Sequence, residues 1–142
     1  MIARQISLTL LAMGLGSLCA APAALAACPV TGESPMEIAT LYFGRTIQGH
    51  GLVSTSDWAE FTAKVITPTF PDGFTVSDGS GQWLDSKTGK TDYDPVKILT
   101  IAAPSSPALA VKLLHVMKAY EKAYAQESVG LTTVEGCAGF DE

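Results

Sequence analysis

The chain has 142 residues, 47% hydrophobic and 16% charged, with 14 acidic against 9 basic side chains and a formal net charge of −5. An acidic balance argues against a nucleic-acid or anionic-lipid surface, since both recruit an excess of positive charge. The length allows one core of ordinary size and not two.

The N-terminus carries Arg4 and then an uncharged apolar run from Ile6 to Ala20, shorter than the roughly 20 residues a bilayer-spanning helix needs. Small residues follow, ending in Ala24-Leu25-Ala26, the A-x-A pattern that signal peptidase accepts. We read residues 1–27 as a cleaved secretory leader and 28–142 as a single α+β domain, periplasmic or secreted, with no membrane span after processing. Losing Arg4 takes the net charge from −5 to −6. Cys19 leaves with the leader, and Cys28 and Cys137 remain at the two ends of the domain. In an oxidising compartment they are expected to pair. The bridge would close a loop of about 110 residues, worth on the order of 4 kcal/mol in the chain-entropy model. Leu25-Ala26-Ala27-Cys28 also fits a lipobox, in which an acylated Cys28 would anchor the protein as an envelope lipoprotein. The two fates exclude each other, and the otherwise orphaned Cys137 favours the disulfide.

Met36 to Thr46 alternates Ala39, Leu41 and Phe43 against Ile38, Thr40 and Tyr42, the period of a first strand. Gly49-His50-Gly51 breaks it. Ser54 and Asp57 form a capping pair before Trp58, Phe61 and Val65 at helical spacing, and this helix should stop near Thr67, ahead of Pro68. Phe70-Pro71-Asp72-Gly73 reads as a turn into a second strand, Phe74 to Leu84, where Gly79 and Gly81 suggest a bulge or a close backbone approach. A polar loop from Asp85 to Asp92 leads to the most strand-like run, Val96 to Ile101. Ser106-Pro107 opens the longest helix, running to about Gln126. Its apolar face is read as Ala110, Leu113, Met117, Tyr120 and Tyr124, with Lys112, His115, Lys118 and Lys122 turned away. Val129 to Val134 is the last strand. The order β-α-β-β-α-β implies a ferredoxin-like fold, a four-stranded antiparallel sheet with two helices on one face. Its other face is then open to solvent, a small ligand, an envelope protein or a second copy in a homodimer.

Chemistry is sparse. Gly44 to Gly49 has phosphate-loop spacing, but His50-Gly51 stands where the lysine and hydroxyl belong; Gly89-Lys90-Thr91 lacks the upstream glycine. Two distant histidines and no CxxC or HExxH offer no metal set, and the oxygens of Asp78, Ser80 and Gln82, or of Asp92 and Asp94, fall short of a calcium loop. No metal or cofactor is expected. The residues worth testing are Tyr42, Arg45, His50, Gln82, Trp83, Lys97, Gln126 and Glu127. Trp83 either lines a groove or packs across the sheet on Tyr42 or Tyr93. Lys97, a charge inside a strand, requires an acid, with Glu127 or Asp94 as candidates.

Three separated motifs carry a resemblance: Leu41-Tyr42-Phe43-Gly44-Arg45; Pro71 to Val76 with Asp78-Gly79 and Gly81-Gln82-Trp83; and Gln126-Glu127-Ser128-Val129. Together they resemble the domain-of-unknown-function family numbered 3574, small exported bacterial proteins. The resemblance spans about Met36 to Phe140 and implies export and a compact α+β domain, without an activity. This chain departs from it at Asp94-Pro95-Val96-Lys97, where a glutamate and serine would precede the lysine. The expected function is therefore a noncatalytic module that binds a ligand or protein on its open sheet face. The alternatives are a small cofactor-free isomerase, lyase or hydrolase, with Arg45 holding an anionic substrate and Glu127 or His50 as acid or base, and the lipoprotein anchored at Cys28.

Overall fold

The computed structural model describes residues 28–47, 49–84 and 88–139; the leader expected over 1–27 lies outside them. Among the described residues six strands, three α-helices and one π turn follow in order: β1 (Ser34–Gly44), β2 (Thr46–Ile47), β3 (Gly51–Leu52), α1 (Thr55–Phe61), the π turn (Thr62–Ile66), α2 (Thr67–Thr69), β4 (Thr75–Leu84), β5 (Thr91–Ala103), α3 (Pro107–Tyr124) and β6 (Gly130–Ala138). The main sheet runs β4-β5-β1-β6, every neighbour antiparallel. Leaving aside the small β2–β3 ribbon, the four long strands are connected as β-α-β-β-α-β, as the sequence pattern implied.

Strand alternation places Ala39, Leu41 and Phe43 of β1 on one face, opposite Ile101, Leu99 and Lys97 of β5. The helices cover that face. The Phe43 ring meets Trp58 of α1 at 5.3 Å and Tyr120 of α3 at 4.8 Å, both edge-on, the arrangement that the ring quadrupole favours. Phe61 and Tyr124 extend the aromatic cluster. Leu109, Leu113, Val116 and Tyr120 are the buried side of α3, whereas Ala110 is exposed. Of the expected stripe only Ala110 is misplaced: Met117 and Tyr124 pack against the core beside Leu113 and Tyr120, and Leu109 and Val116 complete the i, i+4, i+7, i+11 series with larger side chains.

Both helix starts follow their sequence signals. The Ser54 hydroxyl accepts from the Asp57 amide at 3.1 Å and the Asp57 carboxylate accepts from the Ser54 amide at 3.0 Å. The Ser54 hydroxyl also donates to the Asp57 carboxylate at 2.6 Å, and this bond, with that from the Ser54 amide, holds the Asp57 carboxyl below the ordinary aspartate range. Ser106 caps α3 through the Leu109 amide at 3.1 Å. The first helical stretch, however, does not stop at Thr67. A π turn, with the Thr67 amide bonded to the Thr62 carbonyl, resets the ladder so that Pro68 falls in the first turn of α2, where a missing N–H costs little.

Three further corrections concern the sheet. Gly49-His50-Gly51 does not merely interrupt the chain; it turns β2 into β3, with Gly49 and Gly51 at positive φ. Pairing of β4 with β5 is continuous through Gly79 and Gly81, so no bulge forms there; a Cβ on Gly79 would lie 2.9 Å from the Ile98 side chain, and one on Gly81 3.3 Å from Val96. The glycines make room for neighbours on the open face. Finally, β5 begins at Thr91 and ends at Ala103, longer at both ends than Val96–Ile101; the first residues of the expected loop, 85–87, lie outside the described residues.

Cys28 and Cys137 form a disulfide, with Cα atoms 5.7 Å apart and a sequence separation of 109. Among the described residues no helix is long and apolar enough to cross a membrane.

Candidate functional site

Four pieces of chain meet at one end of the sheet: the end of β1, the end of β4, the start of β5 and the passage from α3 to β6. Ala125 ends α3 in the left-handed region, at φ 51°, and the turn brings Gln126 back beside β1. The Gln126 amide nitrogen donates to the Thr46 carbonyl at 2.9 Å and to the Tyr124 carbonyl at 3.3 Å. Tyr120 ties the same place to the core, its hydroxyl donating to the Gly44 carbonyl at 2.8 Å. Burial pushes the Tyr120 hydroxyl pKa well above its usual value, aided by the neighbouring Tyr124 and Asp94 and opposed by Arg45.

The centre of this junction is Asp94, buried with only 3% of its surface exposed. One of its oxygens, Oδ1, accepts from the Arg45 amide at 3.2 Å, the Thr46 amide at 2.8 Å and the Thr46 hydroxyl at 2.6 Å. Burying a carboxyl group costs free energy unless such donors satisfy its oxygens. They also fix its orientation, and Oδ2 lies over Gly44, where a Cβ would come within 2.4 Å of it. A substituent at Gly44 would collide with that oxygen.

Around Asp94 opens a cavity of about 830 Å³, within the range of small-molecule sites. It is lined by Gly44 at the end of β1, Gly81 and the half-exposed Trp83 of β4, the exposed Tyr93 of β5, and Gln126 and Glu127 between α3 and β6. Asp92, opposite Trp83 in the ladder, adds a second acid from β5.

Of the eight residues singled out from sequence, Gln82, Trp83, Gln126 and Glu127 line this cavity. The other four do not. Tyr42 lies on the open face with its ring over Gly130. The Arg45 guanidinium holds the Val53 carbonyl through Nε at 2.9 Å and Nη2 at 2.6 Å, closing the segment before α1. His50 sits exposed in the β2–β3 turn, its amide donating to the Ile47 carbonyl. Lys97 is on the helix-covered face and pairs with Asp78 of β4 at 2.5 Å, a correction to the expected partners Asp94 and Glu127. Asp94 belongs to the opposite face by strand alternation, and its bonds go to Arg45, just past the end of β1, and to Thr46 of β2. The Arg45, His50 and Glu127 set is therefore not gathered around this cavity. Trp83 faces solvent, and no ring contact joins it to Tyr42 or Tyr93 among the described residues.

Sequence reasoning weighed Asp94 as a lysine partner and as an oxygen of an incomplete calcium loop, and Gly44 and Thr46 as parts of an incomplete phosphate loop. An acid placed two residues before the most apolar stretch of a central strand, and followed by a proline that cannot donate, was the available signal. Its meaning depends on β1 ending alongside it 50 residues earlier in the chain. No group of three or more His, Cys, Asp or Glu side chains comes together in metal-binding geometry among the described residues.

A family model described as "Protein of unknown function (DUF3574)" matches residues 38–140. Among curated proteins nothing matches. Two solved structures share the fold. A phage SAM lyase in complex with S-methyl-5′-thioadenosine aligns with a TM-score of 0.56 at 13% identity, covering 75% of this chain and 93% of that one. The phage SAM lyase in its apo state aligns with a TM-score of 0.53 at 13% identity, covering 76% and 94%.

Proposed function

The chain belongs to the family of proteins of unknown function DUF3574, and from that premise we propose that this member is an exported module that binds a small ligand in the cavity at the end of its sheet. The observation that carries the reading is Asp94: a buried carboxylate held by three donors on one oxygen and bordering a cavity of about 830 Å³ beside an exposed tryptophan. Convergent polar groups in a concave, partly aromatic site are the usual signature of ligand recognition. Screening a mixed library of neutral, cationic and anionic compounds by amide NMR tests it, the expected result being shifts clustered at Gly44, Gly81, Trp83 and Gln126. A library that leaves all four unmoved would sink the proposal.

Export rests on the leader pattern of residues 1–27 and on the Cys28–Cys137 disulfide, which suits an oxidising compartment. Intact mass from the native host decides the fate of Cys28: a bridged mature chain gains about two daltons on reduction, whereas an acylated one is heavier by hundreds. The open face beyond the cavity, with Tyr42 and Val134 exposed, is the surface offered to an envelope protein or a second copy; light scattering of the purified domain reads the latter.

A second reading has one observation in its favour, the fold shared with the phage SAM lyase. Under it the same cavity breaks a C–S bond of a sulfonium substrate by elimination, a cavity carboxylate taking the proton from the adjacent carbon while the bonding pair leaves on sulfur and a neutral thioether departs. Fold likeness is analogy and site chemistry decides. Incubation with S-adenosylmethionine followed by chromatography for S-methyl-5′-thioadenosine tests this; an unchanged substrate rejects it and leaves the binding reading intact.

A further inference from the structure

We infer that the cavity selects an organic cation, its positive group bonded between Asp94 Oδ2 and Gln126 Oε1 and its flat part lying against Trp83. This rests on the cavity being a ligand site and adds what the site chooses. The two oxygens converge on one point. A Cβ built on Gly44 lies 2.4 Å from Asp94 Oδ2 and 3.4 Å from Gln126 Oε1, so the oxygens are less than 6 Å apart, within the span of one donor group.

Neither assignment is arbitrary. Gln126 must present its oxygen there because its nitrogen faces two carbonyls, those of Thr46 and Tyr124, which can only accept. Asp94 spends Oδ1 on Arg45 and Thr46, and among the described residues no hydrogen bond reaches Oδ2. Two acceptors facing one space, one of them on a carboxylate that is 97% buried, demand a donor, and a charged one best offsets the burial. Glycine at positions 44 and 81 leaves the approach clear. The cavity is far larger than a bare ion requires, and the exposed indole of Trp83 supplies the face that attracts a delocalised cation.

The test uses three flat probes of one shape and different charge: benzamidine, benzamide and benzoate, titrated into the purified full domain and followed by amide NMR and Trp83 indole shifts. Benzamidine is expected to move Gly44, Gly81, Gln126 and the Trp83 indole with an affinity at least about tenfold above benzamide, and benzoate to move none of them. Asp94→Asn keeps an acceptor for Arg45 and Thr46 while placing an amide where Oδ2 was, so it should fold and lose the preference for benzamidine. Trp83→Leu, at an exposed position, should weaken benzamidine about fivefold or more without changing the charge preference. Equal binding of benzamide and benzamidine, or binding of benzoate, would overturn the charge assignment while leaving a ligand site in place. Benzamidine shifts that survive unchanged in Asp94→Asn would also overturn it. If none of the three probes moves the cavity residues, the inference fails, and the wider library described above then decides the ligand site itself.

Discussion

Gly44 has no side chain because Asp94 occupies the space one would need. Gly44→Ala puts a methyl group 2.4 Å from Oδ2, and the carboxylate cannot swing away without straining its bonds to Arg45 and Thr46. We expect a loss of about 1–3 kcal/mol, the usual cost of forcing extra volume into a filled site, measured by denaturant unfolding, together with loss of probe binding. Tyr120 acts on the same glycine from the other side. Its hydroxyl resists ionisation in the folded state, while the unfolded tyrosine ionises near 10. The folded protein therefore holds its proton at pH values where the unfolded chain has released it. By linkage, this contribution to stability is complete below pH 10 and declines as the pH rises towards the folded pKa. Tyr120→Phe should flatten that alkaline decline and, by removing the bond to the Gly44 carbonyl, cost about 1 kcal/mol at neutral pH. A stability profile from pH 7 to 11 on both proteins checks the sign.

Among elements, the helices show most clearly where the sequence was sufficient. Ser54 with Asp57, and Ser106 with Pro107, satisfy donors within three residues of themselves, so their meaning is local and readable. Ser106→Ala should cost about 1 kcal/mol in thermal unfolding, the worth of an N-cap, without affecting the cavity, since α3 begins far from it. The π turn was not readable, because a proline in the sequence says that a ladder bond is missing and not how the chain will absorb the loss. That turn leaves a trace at Thr62, whose hydroxyl is buried without a hydrogen-bond partner. Thr62→Val replaces the orphan with a methyl of nearly the same shape and should stabilise the protein by up to about 1 kcal/mol, read as a higher denaturant midpoint at unchanged slope. Equal or lower stability would mean that water reaches the hydroxyl. Among the strands, the alternation of β1 was plain, but Asp94 and Lys97 read as partners until β1 and β4 had been placed on either side of β5. Three residues apart on one strand, they point to opposite faces, Lys97 finding Asp78 on β4 and Asp94 finding Arg45 and Thr46 where the chain leaves β1.

For the whole molecule, stability and the candidate site sit at opposite ends of the same pair of strands. Cys137 lies beside Pro35, where β1 begins and β6 finishes; Gly130 lies beside Tyr42, where β1 approaches its end and β6 starts. The disulfide therefore acts on the ladder from the end remote from Asp94. Closing 109 residues into a loop limits the unfolded chain above all, worth on the order of 4 kcal/mol, while the native contacts around the cavity come from β5, the hairpin and the α3–β6 turn. The double variant Cys28→Ser/Cys137→Ser should accordingly lose several kcal/mol of stability, yet keep the amide shifts of Gly44, Gly81 and Gln126 and the same benzamidine affinity at temperatures where it remains folded. Parallel unfolding and titration of the two forms measure both. If binding fell in step with stability, the β1–β6 ladder would be transmitting strain over its whole length, and the two ends of the molecule would have to be regarded as one cooperative site.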